Sequence, residues 1–305
     1  MLFPMLLSIA VAGCDRKPKE AETVPMSAEQ AEYLSAENLW RMQRQEALTQ
    51  PDGWTSLIGL YWITLKSHYI GSGRGSGMRL PFGPESLGMI QRNGERVFFV
   101  PEAGVALTLD GEPFKGRVEL KDDRNPMPSV IGFDEGKGKM TLLWRGGRHA
   151  IRVKHADAET RTKFSAIPYW PADRQWRIKA KYVANPAGKT LPIATIVGTT
   201  EEIPNPGALV FEREGVAHRI EALDEGGSTL TLYIADRTSG HLSYGPGRYL
   251  DAPRPDADGN VVIDFNRAYN PPCAFTPFAT CPLPPRENRL NLAITAGEKK
   301  YGLKH

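Results

Sequence analysis

The apolar positions of this 305-residue chain change period near residue 50. Before that point they recur at helical spacing. Tyr33, Ala36, Trp40 and Ala47 fall along one stripe, with Glu, Arg and Gln between them. Ser27 precedes the run and Gln30 stands three places on, which is a capping-box pattern. Thr49-Gln50-Pro51-Asp52-Gly53 then closes it with helix-ending chemistry. The pattern predicts one helix over 27–50, with its aromatic stripe packed in a core.

After residue 50 the apolar runs are short, β-branched or aromatic, and bounded by turn residues. Strands are expected at 54–65, 96–100, 105–109, 140–144 and 150–153. Asn93-Gly94, Asp110-Gly111, Gly136-Lys137-Gly138 and Gly146-Gly147 mark the turns among them. A second set covers 176–183, 191–197, 208–211, 216–221, 229–235 and 261–266. Within 229–235, Leu230, Leu232 and Ile234 share one face. Within 261–266, Val261, Ile263 and Phe265 turn inward and send Asp264 and Asn266 to the opposite face. The expected fold is mainly β: an N-terminal helix, then two packed antiparallel β units at 51–157 and 158–305.

Charge narrows the choice of partner. The net charge is +3, with both signs mixed along the chain and no dense Lys/Arg stripe, so nucleic acid is not expected as a partner. The apolar run Met1–Ala12 is shorter than the ~20 residues a spanning helix needs and fits the core of a secretory signal. Its end, Val11-Ala12-Gly13-Cys14, resembles the bacterial lipobox. That resemblance implies a signal peptide over 1–13 and acylation of Cys14, a palmitate-type anchor. Residues 14–26 then form a flexible tether. The protein is therefore expected in the bacterial cell envelope, held to a membrane by lipid and facing the periplasm or exterior.

Two cysteines remain, Cys273 and Cys281, inside the proline-rich stretch AYNPPCAFTPFATCPLPPRENRL at 268–290. An even number in an exported chain points to a disulfide bond. A zinc clip needs further ligands, and the nearest upstream histidine is His241. Other signatures fail as well. No Gly-x-Ser-x-Gly elbow occurs, and Gly188-Lys189-Thr190 lacks the earlier glycine of a phosphate loop. Asp256, Asp258, Asn260 and Asp264 have a calcium-loop look, but Gly259 comes two places too early and the closing Glu is absent. Neither metal nor cofactor is expected.

The polar residues around this stretch form the richest constellation: Asp236, Tyr244, Arg248, Asp264, Asn266, Arg267, Tyr269, Asn270, Glu287 and Asn288. They can be read as a site for a small polar or anionic ligand, or as a buried network tying loops to the sheet. In the first reading Arg248 and Arg267 supply positive charge, while Asn266, Tyr269 and Asn270 supply hydrogen bonds. Asp236, Asp264 or Glu287 could serve an envelope hydrolase as acid or base. Phe275 and Phe278 could instead dock a protein partner.

Two resemblances bear on this. HYIGSGRGSGMRLP at 68–81 resembles the opening of a forkhead-associated sandwich. That likeness implies the scaffold and not phosphopeptide binding, because Ser72 stands where those domains place Arg. DRTSG (236–240), YGPGRYL (244–250), DFNRAYNPPCAF (264–275), CPLPPRENRL (281–290) and AGEK (296–299) resemble the bacterial domain of unknown function 1684, as does 40–63. That resemblance implies no activity, but it marks Asp236, Arg248, Asn270 and Glu298, among others, as signature positions.

Overall fold

The computed structural model describes residues 27–302. The expected signal, Cys14 and the tether lie outside the described residues. Helix α1 (Ala28–Thr49) is capped by Ser27, whose hydroxyl accepts from the Gln30 N–H at 3.1 Å. The first β unit follows as β1 (Leu57–Trp62), β2 (Ser67–Gly71), β3 (Met78–Arg79), β4 (Gly88–Asn93), β5 (Arg96–Pro101) and β6 (Thr108–Leu109). It continues with β7 (Glu112–Pro113), β8 (Val118–Leu120), β9 (Val130–Phe133), β10 (Gly138–Arg145) and β11 (Arg148–His155). These strands form two sheets, ordered β1-β11-β10-β9-β6-β7 and β3-β2-β4-β5-β8. Ile70, Ile90 and Phe99 of one sheet and Ile131, Met140 and Val153 of the other share one core, so the unit is a β-sandwich.

The one-turn helix α2 (Glu159–Thr162) sits at the expected boundary. Then come β12 (Arg177–Ala184), β13 (Thr190–Ala194), β14 (Thr200–Pro204), β15 (Gly207–Arg213), β16 (Val216–Ala222), β17 (Thr229–Ile234), β18 (Arg248–Pro253) and β19 (Asn260–Asp264). A four-stranded sheet, β16-β15-β12-β19, and the β17–β18 hairpin enclose a second core around Leu209, Leu232, Ile263, Phe265 and Ile294. The expected inward faces of 229–235 and 261–266 are buried in this core, but Thr231, Tyr233 and Asn266 on the opposite faces are buried as well, under other parts of the chain.

Three features depart from the expected pattern. The 54–65 run begins as a 3-10 turn at Trp54–Ser56, and only Thr108–Leu109 of the 105–109 run is strand. Strands β4, β7, β8, β9, β14 and β18 fall outside the expected set, being short or without a clear alternation. Helix α1 precedes the first sandwich in sequence but docks on the second unit. Its docking face is Tyr33, Glu37, Arg41, Arg44 and Leu48, in steps of three or four; of the expected stripe it includes only Tyr33, and Ala36 and Ala47 stay exposed. Only Glu37 and Leu48 on α1 are buried, because the partner surface offers charges and carbonyls rather than apolar side chains.

The proline-rich segment lies between the two units. Cys273 and Cys281 are disulfide-bonded across a Cα separation of 6.2 Å. Ala279 and Cys281 pack with Leu57 of the first unit and with Ile193, Leu223, Tyr233 and Tyr249 of the second. Main-chain bonds from Ile196 to Cys281 and from Leu283 to Ala194 stitch the segment to β13 and its turn. The bridge closes a short ring and lowers the entropy of the unfolded chain. Cys273→Ser with Cys281→Ser is therefore expected to lose about 2–3 kcal/mol of unfolding free energy. Urea melts of wild type with and without reductant, beside the double variant, check this; reduction should reproduce the variant.

Candidate functional site

The expected site residues divide into two groups that the fold keeps apart. The first is a buried ion cluster. Asp236 lies two residues past the end of β17 and Arg248 begins β18, and the register pairs Ile234 with Arg248, so the two charges meet at the end of the hairpin. Both side chains are buried, with Arg248 Nη2 2.8 Å from Asp236 Oδ2. The guanidinium also donates to the carbonyls of Ile294, Ala296 and Glu298 and lies 5.2 Å from the Trp170 ring centroid. Both terminal nitrogens of Arg248 are thus taken by the protein, and the side chain is buried, so it does not offer its charge to a cavity. This corrects the expectation that it supplies positive charge to a ligand.

Glu298 continues the cluster. Its carboxylate takes Arg44 Nε at 3.1 Å, the Asn270 N–H at 2.7 Å and the Tyr169 hydroxyl at 3.3 Å. Arg44 Nη2 also donates to the Asn270 carbonyl at 2.8 Å, and Asn270 Nδ2 reaches Lys299 O at 2.8 Å. Burial raises the Glu298 pKa, while Arg44 and the other donors hold the charged form. Gly297 makes the approach feasible: it has φ +79°, and a Cβ there would lie 2.4 Å from the Ala268 carbonyl oxygen.

Asn288 is spent in the same way, clamping the Glu221 backbone through bonds of 2.7 and 2.9 Å. Tyr244 donates to the Cys273 carbonyl at 3.0 Å. Glu287 is exposed and joins neither group. Phe275 is buried against Leu48 and Ile167, and Phe278 packs on the junction core, so the aromatic loop is turned into the molecule.

The second group borders an open cleft that runs along α1 to the junction of the two units. Three cavities of about 450, 410 and 240 Å³ follow one another there. The first two share Asp251; the last two share Trp54, Glu225, Tyr249 and Pro272. At the α1 end lie Asp264 and Arg267. Tyr33 donates to Asp264 at 3.1 Å and accepts from Asn266 Nδ2 at 2.8 Å, while Arg267 pairs with Glu37 at 2.7 Å. Burial raises the Glu37 pKa above the ordinary value, with Arg267 opposing it.

In the middle cavity the cleft floor is the outer face of the β17–β18 hairpin. Thr231 pairs with Asp251 and Tyr233 with Tyr249, on the face opposite Leu230, Leu232 and Ile234. Tyr233 and Tyr249 have ring centroids 4.5 Å apart, and Tyr269 meets Tyr249 edge-on at 5.9 Å. The Arg44 guanidinium covers Tyr269 at 4.7 Å. Glu225 accepts from the Tyr233 hydroxyl and, at 3.2 Å, from Thr231. Partial desolvation by the cleft walls raises the Asp251 carboxyl above its ordinary pKa, although the residue is exposed to solvent. Trp54, about a third exposed, stands over the passage to the last cavity. There Arg152 donates to the Thr280 hydroxyl at 3.2 Å. Burial, reinforced by the like charge of Arg145, pulls the Arg152 guanidinium down to about 10.

Among the described residues no cluster of three or more His, Cys, Asp or Glu has metal-binding proximity. A separate cavity of about 900 Å³ at one end of the first sandwich is lined by Val105, Leu107, Phe114 and Phe133. Its ionisable residues, Glu102, Lys115 and Glu135, are all exposed, so it lacks the convergent polar groups of a reactive site.

The buried cluster and the cleft floor both lie in the segment that a known family covers. Residues 162–299 match the DUF1684 family, described as Protein of unknown function. No curated protein matches the chain. The solution NMR structure of an uncharacterized protein from Haloarcula marismortui is similar at 30% sequence identity, over 48% of this chain and 81% of that one, with a TM-score of 0.40. The DUF1684 segment contains Asp236, Arg248, Asn270 and Glu298, and also Glu225, Tyr233, Tyr249, Asp251 and Tyr269. Arg44, Trp54 and Arg152 lie outside it and complete the cleft from α1 and the first sandwich.

Sequence reasoning missed Arg44, Trp54, Arg152, Glu225 and Asp251. The alternation of 229–235 held a signal for part of this set: placing Leu230, Leu232 and Ile234 in the core sends Thr231 and Tyr233 outward. Removing one charge of the buried pair strands the other, so Asp236→Ala is expected to lose about 3–5 kcal/mol of stability. Glu287→Ala at the exposed position is expected to stay within about 0.5 kcal/mol of wild type. Urea denaturation of the two variants side by side checks the contrast.

Proposed function

We propose that this protein is a lipid-tethered envelope protein that binds a small polar or anionic ligand in the cleft between α1, the β17–β18 hairpin and the first sandwich. The observation carrying the ligand reading is the run of joined cavities, in which aromatic faces alternate with charged groups that still meet solvent. Ligand sites commonly join apolar walls to a few placed polar groups. The Tyr233–Tyr249–Tyr269 set and Trp54 offer flat apolar contact, while Asp251, Glu225 and Arg44 offer directional hydrogen bonds. The signature residues Asp236, Arg248, Asn270 and Glu298 support the site by holding its walls, not by touching the ligand.

A hydrolase is the second reading, and one observation favours it. Asp251 has a raised pKa and shares the middle cavity with Glu225, which pairs a carboxyl inclined to hold its proton with one hydrogen-bonded to Tyr233. This moves the acid–base roles from Asp236, Asp264 and Glu287 to Asp251 and Glu225. The lipid tether rests on Val11-Ala12-Gly13-Cys14, and the exported location agrees with the Cys273–Cys281 bridge. The forkhead-associated likeness of the first sandwich is kept as a statement about scaffold and given no ligand.

A thermal-shift screen of sugars, amino acids and organic acids tests the cleft. At least one compound class should raise the melting temperature, and Trp54→Ala and Asp251→Asn should each weaken it tenfold or more. Hits indifferent to both substitutions, or no hits in any class, would remove the reading. If the hydrolase reading holds, Asp251→Asn abolishes turnover of a bound compound while leaving its binding within a few-fold. For the tether, Cys14→Ser should eliminate incorporation of labelled palmitate and move the protein from the membrane fraction to the soluble one.

A further inference from the structure

Arg152 is the one cleft cation whose charge the described residues leave without an acid. It stands in the middle of β11, opposite Leu60 on one side and Thr141 on the other, on the sandwich face turned toward the second unit. Guanidinium groups carry five N–H donors. Among the described residues this one makes a single hydrogen bond, to Thr280, and its buried Nε–H has no partner. No carboxylate oxygen lies within 4 Å of it, although acids are near. Asp123 pairs with Arg145 at 2.6 Å, Glu201 lies 3.7 Å from Arg145, and Glu225 is bonded to Tyr233 and Thr231. The other charges facing this region are Arg145 and, across the Trp54 ring, Lys154. The cation therefore sits among like charges while the carboxylates around it are engaged elsewhere.

Arg152 is half-buried, but its Nε is closed off from water without a partner, and such a charge, neither paired nor fully hydrogen-bonded, is costly. Arg152 also opens onto the 240 Å³ cavity, with Trp54 on one side and Thr280 on the other. That space admits a headgroup rather than a large molecule. A planar fork suits an oxyanion with two oxygens available.

We propose that Arg152 and Thr280 form an anion socket in which the ligand's carboxylate or phosphate is seated. The socket specifies one end of the ligand and rests on the cleft reading for the other. The aromatic hairpin face would then hold the remainder of the same molecule, in the adjoining cavity that shares Trp54, Glu225 and Tyr249.

The test uses full-length protein with sodium phosphate and sodium acetate, each against sodium chloride at matched ionic strength. The Arg152 Nε–H resonance, assigned by its loss in Arg152→Met, reports occupancy. Either oxyanion should shift that resonance saturably, and the one that does so at lower concentration identifies the headgroup class. Arg152→Met should weaken the oxyanion-dependent rise in melting temperature at least tenfold. In chloride it should melt no lower than wild type, because an unpaired, half-buried charge has been removed. Arg152→Lys should retain partial binding, having the charge without the fork.

A resonance unmoved by both oxyanions overturns the socket, as does a wild type whose oxyanion response survives in Arg152→Met. If Arg152→Met melts lower in chloride and wild type ignores both anions, Arg152 is a structural tie to the Thr280 loop. Should the socket fail while screening hits still depend on Trp54 and Asp251, only the anion assignment falls; if those hits also fail, the cleft reading falls with it.

Discussion

The cleft depends on a charge held where water cannot reach it. Arg248 is fully enclosed, and three of its acceptors are main-chain carbonyls of one short segment, Ile294 to Glu298. That segment lies in none of the sheets; its own main-chain ties are few, a bridge of Glu298 with Tyr169 and bonds to Trp170 and Ala268. The guanidinium takes the role of a ladder, drawing alternate carbonyls toward one point while Asp236 balances the charge. Such a cluster is poor as a source of net stability, since an apolar replacement of similar volume could do as well. Its value is geometric, because the planar guanidinium can donate to all these oxygens in only one arrangement.

Position then passes outward by contact. Fixing the Glu298 backbone fixes its carboxylate, which orders the Asn270 N–H and Arg44. Arg44 fastens α1 to the second unit and lies flat over Tyr269, so the helix becomes one wall of the cleft rather than a member of the sandwich that follows it in sequence. The polar docking face of α1 follows from this: the surface it meets is made of carbonyls and acids, and Tyr33, Glu37, Arg41 and Arg44 answer it group by group.

Legibility in the sequence tracked how local each signal was. The helix, its cap, and the alternation at 229–235 and 261–266 rest on neighbours a few residues apart, and local spacing exposes them. The polar cluster at 236–298 was visible as a set, but its two roles were not separable. Asp236 and Arg248 meet through strand register, and Asn270 meets Glu298 through a backbone bond; neither leaves a trace in spacing. The docking of α1 was hidden because period picks out the apolar stripe, whereas the face that docks is mostly polar and Ala36 and Ala47 of the stripe stay exposed. The cleft itself was hardest, since Arg44, Trp54, Arg152, Glu225 and Asp251 come from distant parts of the chain.

The proline-rich segment joins these threads. Its bridge and prolines place Thr280 and Cys281 against the first sandwich, while Pro282 accepts the Tyr249 hydroxyl at 2.7 Å on the other side. The same few residues thus fix the aromatic floor relative to Arg152. A flexible connection could have joined the two units, but then the distance from Arg152 to the tyrosines would vary and one molecule could not be held at both ends. A rigid spacer in that place makes sense if the two walls must keep a set separation. Stapling the loop and leaving one guanidinium without an acid are then parts of one arrangement: the first fixes the span of the cleft, and the second leaves an open charge at its end.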